Sequence, residues 1–131
     1  MFKVLLVSHG KLAESMLESA EMIVGPQQDI KTLCLNPEDT PEFFCGKISD
    51  ILETWKDEDV MVLSDIRSGT PFNAAASLMQ RFDFRHISGI NLGMLIEVLI
   101  DREFLTAEEA GNTLMELAGQ SILDVNTLLK D

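Results

Sequence analysis

The feature that most constrains this chain is an alternation along its length. Short apolar runs of strand size are each followed by a segment whose apolar residues recur at helical spacing. That is the pattern of βαβ units and a parallel sheet. Residues 3–8 (KVLLVS) have a continuous apolar centre, as a strand buried on both faces requires. A helix is expected over 12–24, with Leu12, Met16, Ala20 and Ile23 on one face and Glu14, Glu18 and Glu21 on the other. Gly25-Pro26 stops it. Residues 30–35 (IKTLCL) read as a second strand. Thr40 as N-cap and Pro41 at the first helical position open a helix through Phe44, Ile48, Ile51 and Leu52 to about Trp55. Residues 60–64 (VMVLS) read as a third strand, ending at Asp65. Thr70-Pro71 repeats the cap-plus-proline start of a helix that runs to about Arg81. A fourth strand is expected over 86–90. Helices follow over 94–102 and 107–120, the second capped by Thr106. Residues 122–126 (ILDVN) read either as a short last strand or as a helical tail.

These elements make an α/β fold, a doubly wound and mostly parallel sheet. Right-handed crossovers put helices on both of its faces. At 131 residues the chain is expected to form one domain, 1–131. Such a sheet binds ligands beyond the carboxyl ends of its strands, where the strand order reverses. In the flavodoxin-like order, strands one and three lie side by side at that crevice.

The balance of 10 basic and 22 acidic residues, net −12, argues against nucleic acid and anionic membranes as partners and remains compatible with a basic protein. No apolar run approaches the ~20 residues of a membrane helix. The amino terminus is too short, and lacks the cleavage site, for a signal peptide. Cys34 and Cys45 are the only thiols and are expected to stay unpaired in a reducing cytoplasm. Two histidines and two scattered thiols offer no metal spacing. Met16, Met79, Met94 and Met115 read as core fillers.

Two segments meet at the expected crevice. Val7-Ser8-His9-Gly10 ends the first strand, and Asp65 to Asn73 (DIRSGTPFN) ends the third and opens a helix. His9 and Asp65 would be neighbours there. A neutral imidazole has a nucleophilic nitrogen, and a carboxylate that accepts the other ring N–H fixes the tautomer and supports a cation-like ring. The unpaired N–H groups of the helix starting near Pro71 favour an anion such as a phosphoryl group. Gly69 permits close backbone approach, and the Thr70 hydroxyl adds a donor. Each piece also has a plain reading: His9 as a packing residue, Asp65 as a loop carboxylate, Thr70-Pro71 as a helix start only. Their convergence on one crevice favours a site. His86 reads as a strand or packing residue.

Competing motifs fail on particular residues. No Lys follows Gly69-Thr70 as in a P-loop, and neither Gly-x-Ser-x-Gly nor Gly-x-Gly-x-x-Gly is present. Receiver domains also place an Asp after strand three, but they carry an acidic pair where this chain has Ser8-His9.

At VSHGKLAE (7–14), PEDTPEFF (37–44), VLSDIRSGTPFN (62–73) and ISGINLGMLIEVL (87–99) the chain resembles the IIA components of the mannose-class phosphotransferase system (PTS), which also serve fructose and sorbose. The resemblance implies a sheet of order 2-1-3-4, with an antiparallel edge strand exchanged in a homodimer and residues 122–126 as its candidate. It implies His9 as the phosphoryl acceptor with Asp65 as its partner carboxylate, and Gly69, Thr70 and Phe72 around the phosphoryl group. No cofactor and no metal are implied. The donor would be the carrier HPr. The acceptor would be a IIB component, reaching the membrane only through IIC and IID permease components. Some relatives append IIB after a linker; here it is expected as a separate chain. Arg67-Ser68 stands where some relatives have an aromatic residue and Gly, so Arg67 reads equally as a phosphate ligand or a solvated side chain. The sugar is not readable, because this chemistry never needs to touch it.

Two other readings use the same residues. One is a IIA-like subunit of a dihydroxyacetone kinase or of a transcriptional regulator. The other is a flavodoxin-like module that binds an anion without being phosphorylated.

Overall fold

A computed structural model describes residues 1–130; Asp131, the last residue of the expected domain, lies outside the described residues. The elements run β1 Lys3–His9, α1 Leu12–Val24, β2 Ile30–Leu35, α2 Pro41–Thr54, β3 Val60–Ser64, α3 Thr70–Leu78, β4 Arg85–Ser88, α4 Leu92–Asp101, α5 Ala107–Leu117, a 3-10 turn Ala118–Gln120 and α6 Val125–Leu128. The four strands are parallel in the order β2-β1-β3-β4. This matches the doubly wound fold read from the alternation. Among the described residues no helix is long and apolar enough to cross a membrane.

Strand alternation divides the core in two. Val4, Leu6, Met61 and Leu63 pack with α1, α4 and α5 on one face. Leu5, Val7, Val60 and Val62 pack with α2 and α3 on the other. Both faces being covered explains why β1 and β3 are apolar without interruption at their centres.

Side chains cap the starts of α2, α4 and α5. Thr40 Oγ1 accepts the Phe43 N–H, with Pro41 following, and Asn91 Oδ1 accepts the Met94 N–H. Thr106 and Glu109 form a reciprocal capping box.

Several expectations need correction. Of the two readings of residues 122–126 the helical tail is the one found, and the exchanged edge strand is not seen: the Asp124 carboxylate accepts the Asn126 and Thr127 N–H groups and so starts α6 at Val125. Thr70 is not the cap of α3. Gly69 holds that position, and Thr70 lies inside the helix with no side-chain capping bond. α3 ends at Leu78 rather than near Arg81, and β4 is shorter than 86–90 would have it. On α1 the buried residues are Ala13 and Ala20, with Met16 packed beside them, whereas Leu12 and Ile23 are exposed. The small residues let the helix lie close to the sheet, which rotates the larger ones outward. Met94 is core, but Met79 and Met115 are exposed.

At the amino-terminal edge of the sheet, Arg102 is buried at the end of α4. Its guanidinium donates to the carbonyls of Phe2, Gln28 and Asp29 and to Gln27 Oε1. Burial pushes its pKa down, opposed by the charges of Asp29 and Glu103. One side chain thus closes the α1–β2 loop against the start of β1. Arg102→Leu should remove the guanidinium from the Phe2 and Gln28 carbonyls and Gln27 Oε1, leave the Asp29 carbonyl only its bond from the Val4 N–H, and cost about 3 kcal/mol. Urea unfolding checks this as a lower midpoint at unchanged slope.

Candidate functional site

The carboxyl ends of β1 and β3 meet because the two strands pair directly, with Val7 opposite Ser64. His9, two residues past Val7, and Asp65, the residue after Ser64, come together there. Asp65 Oδ2 accepts two hydrogen bonds from His9, from its backbone N–H at 2.9 Å and from its ring Nδ1 at 2.9 Å. Asp65 Oδ1 accepts the Ile66 N–H at 3.0 Å. The Asp65 side chain is 7% exposed, the His9 side chain 44%. Burial pushes the Asp65 pKa up, but the hydrogen bonds from His9 and Ile66 outweigh it and hold the carboxyl below its ordinary value. The ionised carboxylate is therefore the resident form, and it selects the ring tautomer with the proton on Nδ1.

That tautomer leaves the Nε2 lone pair free. The Nε2 edge of the ring lies over Gly69: a Cβ there would sit 2.8 Å from Nε2 and 3.0 Å from Cε1. Gly69 has φ 87° and ψ −178°, a conformation essentially reserved for glycine. It leads directly into α3. Pro71 has no N–H, and among the described residues the N–H groups of Thr70 and Phe72 have no acceptor. Two donors and the positive end of a helix therefore stand beside a nucleophilic nitrogen. Thr70 is half-buried, and the ring of Phe72 packs inward, 5.4 Å from that of His86. Arg67 is exposed on the rim.

The structure thus brings together His9, Asp65, Gly69 and the first turn of α3. It also adds Ser8 and Ser64, which the sequence reading passed over, and gives His86, read as a strand or packing residue, a specific partner. Ser8, buried at the end of β1, accepts the Ala13 N–H at 2.7 Å and donates to the Gly10 carbonyl at 3.4 Å. The Gly10 N–H donates to the Leu35 carbonyl at 2.8 Å. These bonds tie down the turn that carries His9. A serine inside an otherwise apolar central strand was the available signal. Ser64 and His86 are the second addition, joined Oγ to Nε2 at 2.9 Å. Cys34 and Cys45 are free thiols.

Residues 3–115 match the EIIA-man family, PTS system fructose IIA component. The PTS system fructose-specific EIIA component of Bacillus subtilis (strain 168) is 33% identical over 125 residues, covering 92% of this chain and 84% of that protein. The mannose/sorbose specific IIA subunit of the phosphotransferase system from Enterococcus faecalis superposes with a TM-score of 0.85 at 30% identity, over 92% of each chain. The phosphotransferase system component EIIA from Streptococcus agalactiae shares the fold with a TM-score of 0.90 at 24% identity, over 97% of this chain and 99% of that one.

Two outcomes are expected from this geometry. Gly69→Ala should destabilise the fold by about 1–3 kcal/mol, because alanine rarely adopts this backbone conformation, and should push the His9 ring aside. Thermal unfolding and the ring chemical shifts of His9 check it. Asp65, whose carboxyl titrates below the ordinary 3.8 in the folded chain, stabilises the fold above that value. Below it the unfolded chain binds more protons, so this contribution is lost as the pH falls further. Urea titrations of wild type and Asp65→Asn should show a stability gap at neutral pH that closes in this acid range.

Proposed function

The chain belongs to the family of PTS fructose IIA components, and on that footing we propose that it is a phosphoryl carrier that takes the group from HPr onto His9 and passes it to a IIB component. The observation that carries this is the pairing of Nδ1 with Asp65 at 2.9 Å, which turns Nε2 towards the amino terminus of α3.

The step follows from the resident groups. The Nε2 lone pair attacks phosphorus, and the bond from phosphorus to the donor breaks with its electron pair leaving on the donor. The ring keeps its Nδ1 proton and gains positive charge, which the Asp65 carboxylate offsets. The phosphoryl oxygens meet the N–H groups of Thr70 and Phe72, the Thr70 hydroxyl and the close backbone of Gly69. Transfer to IIB runs the same step with the roles exchanged. Neither direction calls on a metal or a cofactor.

In this reading the chain is one EIIA domain working in the cytoplasm, and it serves sugar uptake through membrane IIC and IID components. The net charge of −12 would steer a donor with a basic face. A homodimer is part of the same proposal. Ile122, Leu123, Val125, Leu128 and Leu129 are all exposed in the carboxyl-terminal segment, and such a run calls for a cover. A second copy supplies an equal and self-complementary one.

Three measurements test the reading. Incubation with phosphoenolpyruvate, the first PTS enzyme and HPr should add one acid-labile phosphoryl group by intact mass, and His9→Ala should add none. An unmodified wild type, with both upstream proteins active, would sink the carrier reading in favour of an anion-binding module. Asp65→Asn should fold and transfer slower by roughly 10²–10⁴; adding salt should slow the wild type. Sedimentation should give a dimer, and truncation after Gln120 a monomer.

A further inference from the structure

Three polar residues interrupt the apolar α2–α3 face at the carboxyl ends of β3 and β4. Strand alternation and register put Ser64, His86 and Ser88 on the side of the sheet that carries Val62. Ser64 is fully buried, and its hydroxyl pairs with His86 Nε2 at 2.9 Å. Its carbonyl accepts the N–H groups of Gly89 and Ile90. The next residue is Asp65. On its other side the His86 ring lies 5.4 Å from Phe72, inclined at 42°, and 6.4 Å from Phe84. Phe72 belongs to the first turn of α3, which follows directly on Gly69 beneath the His9 ring. Burial holds the His86 pKa below its ordinary 6.5, so the ring stays neutral beside Ser64.

His86 therefore touches both halves of the site from behind. Through Ser64 it holds the strand end that presents Asp65, and through Phe72 it holds the helix start that presents the phosphoryl donors. We propose that His86 is a positioning residue for phosphoryl transfer, setting the spacing between the amino terminus of α3 and the His9–Asp65 pair. The proposal rests on the reading of His9 as the phosphoryl acceptor. An apolar residue could pack on Phe72, but it would leave the Ser64 hydroxyl without a partner and the helix start free to slide on the sheet. Stabilising donors act only when aimed within a fraction of an ångström, and errors near 1 Å cost about a hundredfold.

The test measures phosphoryl uptake from phosphorylated HPr against donor concentration, with intact mass as the readout. His86→Phe keeps a ring for Phe72 and removes the partner of Ser64. It should lower the saturating rate about tenfold, with half-saturation within about twofold of wild type because the docking surface is untouched. Ser64→Ala should act alike, and the double variant should be no slower than either, since both remove one contact. His86→Gln, which can still pair with Ser64, should recover to within about threefold of the wild type. Wild-type rates in folded His86→Phe would overturn the proposal. So would a loss confined to half-saturation, or losses that multiply in the double variant. If His86→Phe does not fold, Ser64→Ala decides: a wild-type saturating rate overturns the proposal, and a lowered rate at unchanged half-saturation supports it. His9→Ala is run alongside, and phosphorylation of that variant would refute the acceptor reading itself.

Discussion

One carboxylate oxygen of Asp65 accepts both the backbone N–H and the ring N–H of His9. The first bond fixes where the residue stands, and the second fixes which way its ring faces and which nitrogen carries the proton. Neither bond exists unless β1 and β3 are adjacent and parallel, so the site is a consequence of the strand order. The hydrogen bonds also keep the carboxylate ionised in a nearly dry position, against the upward push of burial on its pKa.

The helices serve this contact as much as they serve the core. α3 starts at a glycine whose backbone conformation bends the chain under the His9 ring, and Pro71 removes one N–H while those of Thr70 and Phe72 have no acceptor among the described residues. Buried polar groups hold the frame. Ser8 ties the turn after β1, Ser64 joins β3 to the β4–α4 turn, and Arg102 closes the opposite end of the sheet. Each lies in an apolar interior where an unpaired hydroxyl or guanidinium is costly, and each finds its partner across a strand or loop boundary.

Much of this was legible residue by residue. The apolar centres of β1 and β3 and the Thr40-Pro41 and Thr106 starts follow from local chemistry. His9 and Asp65 stood out because polar residues at strand ends, in a doubly wound pattern, point at one crevice. Other features misled. Thr70 resembles a cap, but the close approach of His9 puts the glycine at that position and draws threonine into the helix. Leu12 and Ile23 fit a helical stripe, yet Ala13 and Ala20 are what the sheet can accept at short range. Residues 122–126 read equally as strand or helical tail, and Asp124 decides between them by accepting the Asn126 and Thr127 N–H groups and starting a helix at Val125.

The sequence by itself determined the alternation of strands and helices, the two apolar faces and the residue types waiting at the strand ends. Those properties depend on periods of two and 3.6 residues and on caps a few residues long, all of which are local. Only the tertiary structure decided that Asp65 grips His9 across 56 residues of chain, that Gly69 lies beneath Nε2, and that His86 joins Ser64 rather than the site's open side. Those are distances between segments remote in sequence, and they are set by how two packed layers settle against one sheet.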